Sequence, residues 1–74
     1  MKYKDKIISD PNILRGKPVI KGTRISVELI LEKLGEGTSI EELLEAYPNL
    51  TKEDILAALS YSADVIKNEE LVES

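Results

Sequence analysis

The chain has 74 residues, of which 42% are hydrophobic and 32% charged, and its net charge is −4. This length allows a single domain over residues 1–74 with a small core of Ile, Leu and Val, so we expect association into a homodimer to bury further apolar surface. The sequence holds no cysteine and no histidine. A zinc site, a thiol nucleophile and an imidazole base are therefore excluded, and no cofactor or small-molecule substrate is expected.

Targeting signals are also missing from the sequence. No apolar run approaches the length of a membrane-spanning helix, so no membrane association is expected. The first six residues lack the apolar stretch of a signal peptide. By default, we expect a cytoplasmic protein.

Charge is distributed unevenly along the chain. Residues 1–24 carry seven basic side chains against two acidic ones, a balance of +5, whereas residues 25–74 carry three against twelve, a balance of −9. The split predicts two surfaces with different partners. In the alternative interpretation, the basic segment complements an acidic helical bundle, within one chain or between two.

The first 25 residues are predicted to form a basic arm of short strands and tight turns. Ile7–Ile8 reads as a strand that stops at the turn signal Asp10–Asn12, and Ile13–Leu14 is considered as a second extended piece. Lys17 precedes a proline, which disfavours helical backbone there. Because such short strands need a partner edge, we expect residues 6–25 to contribute to the dimer interface.

Two short amphipathic helices follow, since apolar residues recur at spacings of three and four. Ser26 is a suitable N-cap for the first helix, and Gly35 or Gly37 ends it. The second helix begins at a capping box and ends at Pro48. The pairs that could form this box are Ser39 with Glu42, or Thr38 with Glu41 one residue earlier.

A third helix is predicted to be the longest of the three. Thr51 caps it, with Asp54 at the fourth position of a capping box, and it runs to about Asn68. Residues 69–74 are expected to fray. Its predicted inner stripe consists of Ile55, Ala58, Leu59, Ser62 and Ile66.

The short connection between the second and third helices has helix-turn-helix spacing. The predicted fold is therefore mainly α, a three-helix, helix-turn-helix-like bundle over residues 26–68 behind a short N-terminal β-strand or hairpin arm. In DNA-reading proteins of this kind, the first turns of the last helix face the bases. Here that helix carries two lysines against five acids, which would repel phosphate, so we expect it to serve as a packing scaffold.

The densest group of unusual residues lies between positions 15 and 25, where four cations share a short loop with two glycines and a proline. Gly16 and Gly22 are predicted to adopt positive φ, and Pro18 to stiffen the loop. Thr23 is expected to cap a turn through its hydroxyl. The loop is not a P-loop, because the lysine that this motif requires after its second glycine is missing.

A stiff loop would hold its cations in fixed places, which suits an anionic target. Arg15, Lys17 and Arg24 are the candidates for partner contact, and each arginine could pair with a carboxylate or phosphate through two hydrogen bonds. In the structural alternative, the glycines simply make hairpin turns and Arg24 pairs with an acid of its own helices, such as Glu28. The candidates for contact with DNA phosphates are Lys4, Lys6, Lys17 and Lys21.

These motifs resemble a family of small bacterial and archaeal proteins, the domain-of-unknown-function family number 433. The resemblance covers residues 6–67 and rests on the order of several short motifs. They are Ile8–Pro11, Gly16–Ile20, Gly22–Ile25, Leu34 with the turn Gly35–Gly37, Ile40–Leu44, Tyr47–Pro48 and Leu50–Thr51.

The resemblance implies a homeodomain-like or winged helix-turn-helix fold and a role as the antitoxin of a type II toxin–antitoxin pair. The implied partner is a PIN-like ribonuclease, and no catalytic residue comes with the family. Fixed cations fit that partner because such nucleases hold Mg²⁺ with clustered carboxylates.

Two further functions remain open at this point. The chain could be a transcriptional regulator that binds operator DNA, in which case the basic arm is the better candidate for touching phosphate. It could also be a structural or adaptor module. We do not expect an enzyme, because no base–nucleophile pairing can be recognised.

Overall fold

The computed structural model describes Tyr3 and residues 5–69, which form a two-stranded antiparallel hairpin followed by three helices. This confirms the predicted fold, a small helical bundle with an N-terminal β arm. Lys4 and residues 70–74 of the predicted frayed tail lie outside the described residues. The elements are β1 (Ile7–Ile8), β2 (Val19–Ile20), α1 (Val27–Gly35), α2 (Ile40–Ala46) and α3 (Lys52–Glu69).

The two strands pair with each other. Ile7 lies opposite Ile20 and Ile8 opposite Val19, and Val19 also forms an isolated antiparallel bridge with Ser26. We expected the arm in a dimer interface because its short strands need a partner edge. That need is partly met within the chain, where the two strands pair with each other.

The prediction of an extended piece at Ile13–Leu14 is wrong at its second residue. Leu14–Gly16 forms a single 3-10 turn, in which Leu14 has a φ of 49° and Arg15 a φ of 59°. The chain must reverse between β1 and β2 for the strands to run antiparallel. Left-handed backbone at these residues helps to make that reversal, and the second strand forms later, at Val19–Ile20.

Each helix begins at the predicted side-chain cap. The hydroxyl oxygen of the cap residue accepts a hydrogen bond from the backbone N–H three residues later, which satisfies a donor that the helix leaves free. At α2 and α3, the acid at that position accepts a bond from the cap's own N–H, which completes a capping box. The pairs are Ser26 with Leu29 at 3.0 Å, Ser39 with Glu42 at 3.1 Å and Thr51 with Asp54 at 3.1 Å.

The core lies where β2 and the three helices meet. Its members come from every helix and from the second strand, so none of these elements buries its apolar side without the others. Leu50, between α2 and α3, is the only member of this cluster that lies in a connection. The buried cluster consists of Ile20, Val27, Ile30, Leu43, Leu50, Ile55 and Ala58.

The basic arm packs on the acidic helix α3 rather than standing free. The Tyr3 hydroxyl donates to Asp64 Oδ2 at 2.8 Å, and its ring meets that of Tyr61 edge-on with centroids 5.5 Å apart. Lys6 Nζ lies 3.6 Å from Asp54 Oδ1. Charge complementarity between arm and bundle thus operates within one chain at the Lys6–Asp54 pair.

The second half of α3 extends past the core. The predicted inner stripe is correct for Ile55 and Ala58, which are buried, but wrong for Leu59 and Ile66, which are 39% and 60% exposed. Leu59 lies about 100° around the helix from the buried Ala58, so its side chain faces away from the core. Ile66 lies in the last turns of α3, where a groove separates this helix from α1.

Candidate functional site

The loop from β2 to α1 turns at Gly22. The Thr23 N–H donates to the Ile20 carbonyl at 2.9 Å, and Gly22 at the third position of the turn has a φ of +83°. These are the features of a type II turn, which favours glycine at that position because a side chain there is strained. A Cβ on Gly22 would meet no atom within 4 Å, so the constraint is the backbone conformation and not space.

The side chain of Thr23 locks the same turn. Its hydroxyl donates to the Ile20 carbonyl at 2.8 Å and accepts from the Ile25 N–H at 3.0 Å. The Ile20 N–H in turn donates to the Ile25 carbonyl at 2.9 Å. These bonds make residues 20–25 a closed loop on which Arg24 is exposed.

A second turn precedes β2 and is built on left-handed backbone. Leu14, Arg15 and Gly16 follow one another at positive φ, with +87° at Gly16. The Gly16 N–H donates to the Ile13 carbonyl at 3.0 Å. A non-glycine residue in this region costs about 1–3 kcal/mol, so the surrounding structure must hold Leu14 and Arg15 in place.

Pro18 ties this turn to the first helix. Its carbonyl accepts from the Val27 N–H at 3.0 Å, at the first residue of α1. The four residues with a predicted structural role thus all shape the turns around β2: Gly16, Pro18, Gly22 and Thr23.

Arg15 and Lys17 lie around a shallow depression beside the start of α1. The depression has a volume of about 340 Å³ and is lined by Leu14, Arg15, Lys17 and Ser26. Lys17 Nζ donates to Glu28 Oε1 at 2.8 Å, and this hydrogen bond is the main cause that raises the Lys17 pKa above its ordinary value. Both side chains of the pair are 58% exposed, so solvent screens the interaction strongly.

The two arginines of the loop make no ion pair within Tyr3 and residues 5–69. Both are exposed. Glu28, which was the suggested internal partner of Arg24, is instead bonded to Lys17. Of the three partner-contact candidates, Arg15 and Arg24 therefore present unpaired charge in this part of the chain, whereas Lys17 is already paired.

Among the candidates for phosphate contact, some are likewise paired with an acid and others are not. Lys6 and Lys21 are neighbours across the hairpin, where the Lys21 N–H donates to the Lys6 carbonyl at 2.8 Å. Lys21 is exposed, but the side chain of Lys6 faces Asp54. Lys17 has Glu28 as its partner, and Lys4 lies outside the described residues.

The first turns of α3 offer little to a DNA groove. Ala57 and Ala58 are completely buried and Asp54 is 8% exposed, so three of the residues that would face bases in a DNA-reading helix point into the protein. Lys52 and Glu53 are exposed and of opposite charge.

Sequence reasoning missed an apolar groove between α1 and the second half of α3. Its volume is about 430 Å³, and the exposed residues Leu31, Val65 and Ile66 form part of its wall. The sequence offers no short-range signal for this groove, because it depends on how α1 packs against α3. The groove is lined by Lys17, Pro18, Val27, Glu28, Leu31, Glu32, Tyr61, Ser62, Val65 and Ile66.

Neither a metal centre nor a membrane helix is found in the described part of the chain. Tyr3 and residues 5–69 contain no group of three or more acidic, cysteine or histidine side chains that could hold a metal ion. No helix within those residues is long and apolar enough to cross a membrane.

Comparisons with known proteins match the motifs that the loop and helices carry. Residues 7–62 match the model of the family described as "Protein of unknown function (DUF433)". A curated relative, "Uncharacterized protein y4eO" of Sinorhizobium fredii (strain NBRC 101917 / NGR234), is 41% identical over 56 residues. That match covers 76% of this chain and 25% of the relative, so the chain spans about a quarter of the relative's length.

A solved structure extends the likeness to three dimensions. The crystal structure of a DUF433 member protein from Anabaena variabilis ATCC 29413 superimposes with a TM-score of 0.81 at 32% identity. The match covers 88% of this chain and 64% of the other. The family match includes the hairpin, the loop and most of the three helices described above, and we conclude that this chain belongs to the DUF433 family of proteins of unknown function.

Proposed function

We propose that this chain is a non-enzymatic, antitoxin-like protein that binds and neutralises a PIN-like ribonuclease. The observation that carries the proposal is the pair of exposed guanidinium groups, Arg15 in the turn before β2 and Arg24 in the loop after it, each on backbone held by hydrogen bonds. A nuclease of this class gathers carboxylates around its metal ions. A guanidinium can meet a carboxylate through two parallel hydrogen bonds, and a preformed loop loses little entropy when it does so.

The depression beside α1 supports the same assignment. Arg15 lines it together with the N-cap Ser26, so a carboxylate placed there would meet a guanidinium and the positive end of a helix dipole. Lys17 is held in the same wall by Glu28. The site is therefore electropositive and open, which suits an acidic protein surface.

The proposal is tested by co-expressing the chain with the product of its neighbouring gene and titrating it against the ribonuclease activity. Arg24→Ala and Arg15→Ala should each weaken neutralisation, by about 2–5 kcal/mol if the charge pair is buried across the interface. Arg24→Lys should rescue only in part, because an ammonium cannot make the paired contacts of a guanidinium. Lys33→Ala, which removes a cation from α1 outside the loop, is the control and should bind normally.

Failure to bind any nuclease, or equal binding by Arg24→Ala and the wild type, would return the chain to the structural or adaptor alternative. The melting temperature of each variant must be measured beside the titration. A loss of neutralisation that tracks a loss of stability would not count in favour of the contact.

A DNA-binding regulator is the second proposed function, and Lys21 is the residue that favours it. Lys21 and Arg24 are exposed on the same turn, three residues apart. If this turn meets phosphates, affinity for DNA should fall steeply with salt, and Lys21→Ala should weaken binding to all sequences alike. An affinity that is insensitive to salt, or lost only on changes in α3, would contradict this assignment.

A further inference from the structure

Helix α3 carries a second apolar stripe, which is separate from the one in the core. Leu56, Leu59, Ala63 and Ile66 are all exposed, and the three large side chains are 37%, 39% and 60% accessible. Their spacing of three, four and three residues is that of a coiled-coil seam. At 3.6 residues per turn, the centre of this stripe lies about 120° around the helix from the buried Ala58.

Two copies of the stripe fit each other when their helices run in opposite directions. Leu56 and Ile66 are equidistant from position 61, and so are Leu59 and Ala63. A second copy of α3 that runs antiparallel would therefore set Leu56 against the second copy's Ile66 and Leu59 against its Ala63. A large side chain then faces a small one near the centre, which lets the helices approach closely.

The charges beside the stripe have the same symmetry. Glu53, Ser60 and Lys67 follow one flank at intervals of seven residues, and the two charged ones are exposed. In an antiparallel pair related by a two-fold axis, this flank meets itself, so Glu53 of each copy lies beside Lys67 of the other. In a parallel pair, Ser60 would lie beside Ile55 and Lys67 beside Ser62, so no opposite charges would meet there.

From these two observations we propose that the chain forms a two-fold symmetric homodimer through antiparallel pairing of α3 along Leu56, Leu59, Ala63 and Ile66. The buried residues Asp54, Ala57 and Ala58 lie about 120° or more around the helix from the centre of the stripe, which leaves the stripe itself exposed. The seam spans about 15 Å along the helix axis, so the interface lies at the small end of the range for specific dimers and should form at micromolar concentrations or above. The exposed pairs between Glu53 and Lys67 favour the antiparallel orientation of the two helices more than they raise the affinity of the dimer.

The dimer differs from the one that the sequence suggested, in which the arm forms the interface. Here the loop with Arg15 and Arg24 stays outside the contact. The inference does not depend on the proposed nuclease partner, and its test uses this chain alone.

The first experiment measures mass by light scattering or sedimentation across a range of concentrations. The wild type should move from 8.2 kDa towards twice that value as concentration rises. Ala63→Glu places a charge opposite the second copy's Leu59 and should weaken dimerisation about tenfold or more. Val65→Glu is the matched control, because Val65 is an exposed apolar residue of the same helix outside the seam, and it should dimerise normally.

The second experiment tests direction. Glu53→Lys alone and Lys67→Glu alone should each weaken the dimer, and the double variant should restore it. Because the chain has no cysteine, single ones can be introduced for cross-linking with a short bismaleimide. Ser60→Cys should cross-link efficiently, since the two positions lie beside the two-fold axis, whereas Lys52→Cys should not, because antiparallel helices separate them.

A wild type that stays at 8.2 kDa throughout would overturn the proposal. So would a dimer that Ala63→Glu and Val65→Glu affect equally. Equal cross-linking at positions 52 and 60 would rule out the antiparallel arrangement. Since no nuclease is present in these measurements, their failure is distinct from a failure of the proposed function.

Discussion

The loop over residues 14–25 and the helix α3 hold their shapes by opposite means. In the loop, backbone groups and the Thr23 hydroxyl form the hydrogen bonds that hold the turns, and the side chains of Arg15 and Arg24 take no part in them; Lys17 bonds outward, to Glu28 of α1. In α3, the backbone satisfies itself through the helix, and side chains such as Ile55 anchor it to the protein. Stability should therefore depend on backbone conformation in the loop and on side-chain volume in the helix.

The largest expected effect concerns two adjacent residues of α3. Ile55→Ala removes a completely buried side chain and should lower the free energy of unfolding by about 2–5 kcal/mol. Leu56→Ala, one position along, should cost the monomer much less, because its side chain is 37% exposed. Urea denaturation at low protein concentration measures both. Similar losses for the two variants would mean that the outer stripe is also covered in the monomer.

Gly22→Val is the corresponding change in the loop. A β-branched residue is poorly tolerated at a φ of +83°, so the free energy of unfolding should fall by roughly 1–3 kcal/mol. The control compares Gly22→Ala with Gly35→Ala, which adds the same methyl group at the end of α1, also in open space. Gly22→Ala should destabilise and Gly35→Ala should be neutral or slightly stabilising. An equal response at both glycines would remove backbone conformation as the cause.

The hydroxyl of Thr23 should contribute less than the glycine. Thr23→Val keeps the shape but loses both hydrogen bonds to the turn, and should cost about 1–2 kcal/mol. Thr23→Ser retains the hydroxyl and should stay close to the wild type. Thermal melts of the pair measure the difference. A marked loss in Thr23→Ser would point to packing of the methyl group instead.

Removing the loop cations should have almost no effect on the fold. Arg15→Ala and Arg24→Ala delete exposed charges that make no ion pair with other described residues, so each should change stability by no more than about 0.5 kcal/mol. Chemical denaturation of the isolated protein checks this. A substantial loss for Arg24→Ala would show that it clamps the fold and would weaken its assignment to a partner.

The smallest expected effect is a loss of folding stability at alkaline pH. The hydrogen bond from Tyr3 to Asp64 raises the Tyr3 pKa, and that from Lys17 to Glu28 raises the Lys17 pKa. Each bond needs the protonated donor. Its contribution to the free energy of unfolding is therefore complete below the ordinary pKa of the donor, near 10, and is lost as the pH rises through the raised pKa. The stability difference between the wild type and Tyr3→Phe should therefore shrink above about pH 10. A difference that stays constant across that range would contradict the Tyr3 contribution.

The sequence was sufficient to predict where the helices begin and to which family the chain belongs, although it missed the left-handed turn at Leu14–Gly16. The starts of all three helices were predictable from Ser26, Ser39 and Thr51, because a cap bonds to a backbone group only three residues away. The motifs around Gly16 and Gly22 identified the family because they combine unusual residues in a set order. Such signals are short-range, and they survive without knowledge of how the elements pack.

Which side chains remain exposed and unpaired depends on tertiary contacts, and the sequence pattern did not predict it. Periodicity placed Leu59 and Ile66 in the core, but it could not reveal which side of α3 faces the other elements or that a groove opens between α1 and the last turns of α3. The partners of Lys6 and Lys17 lie on other elements, so their pairing with Asp54 and Glu28 depends on how the arm packs on the helices. Burial and ion pairing are properties of neighbours distant in sequence, and the relative lengths and positions of packed elements determine them.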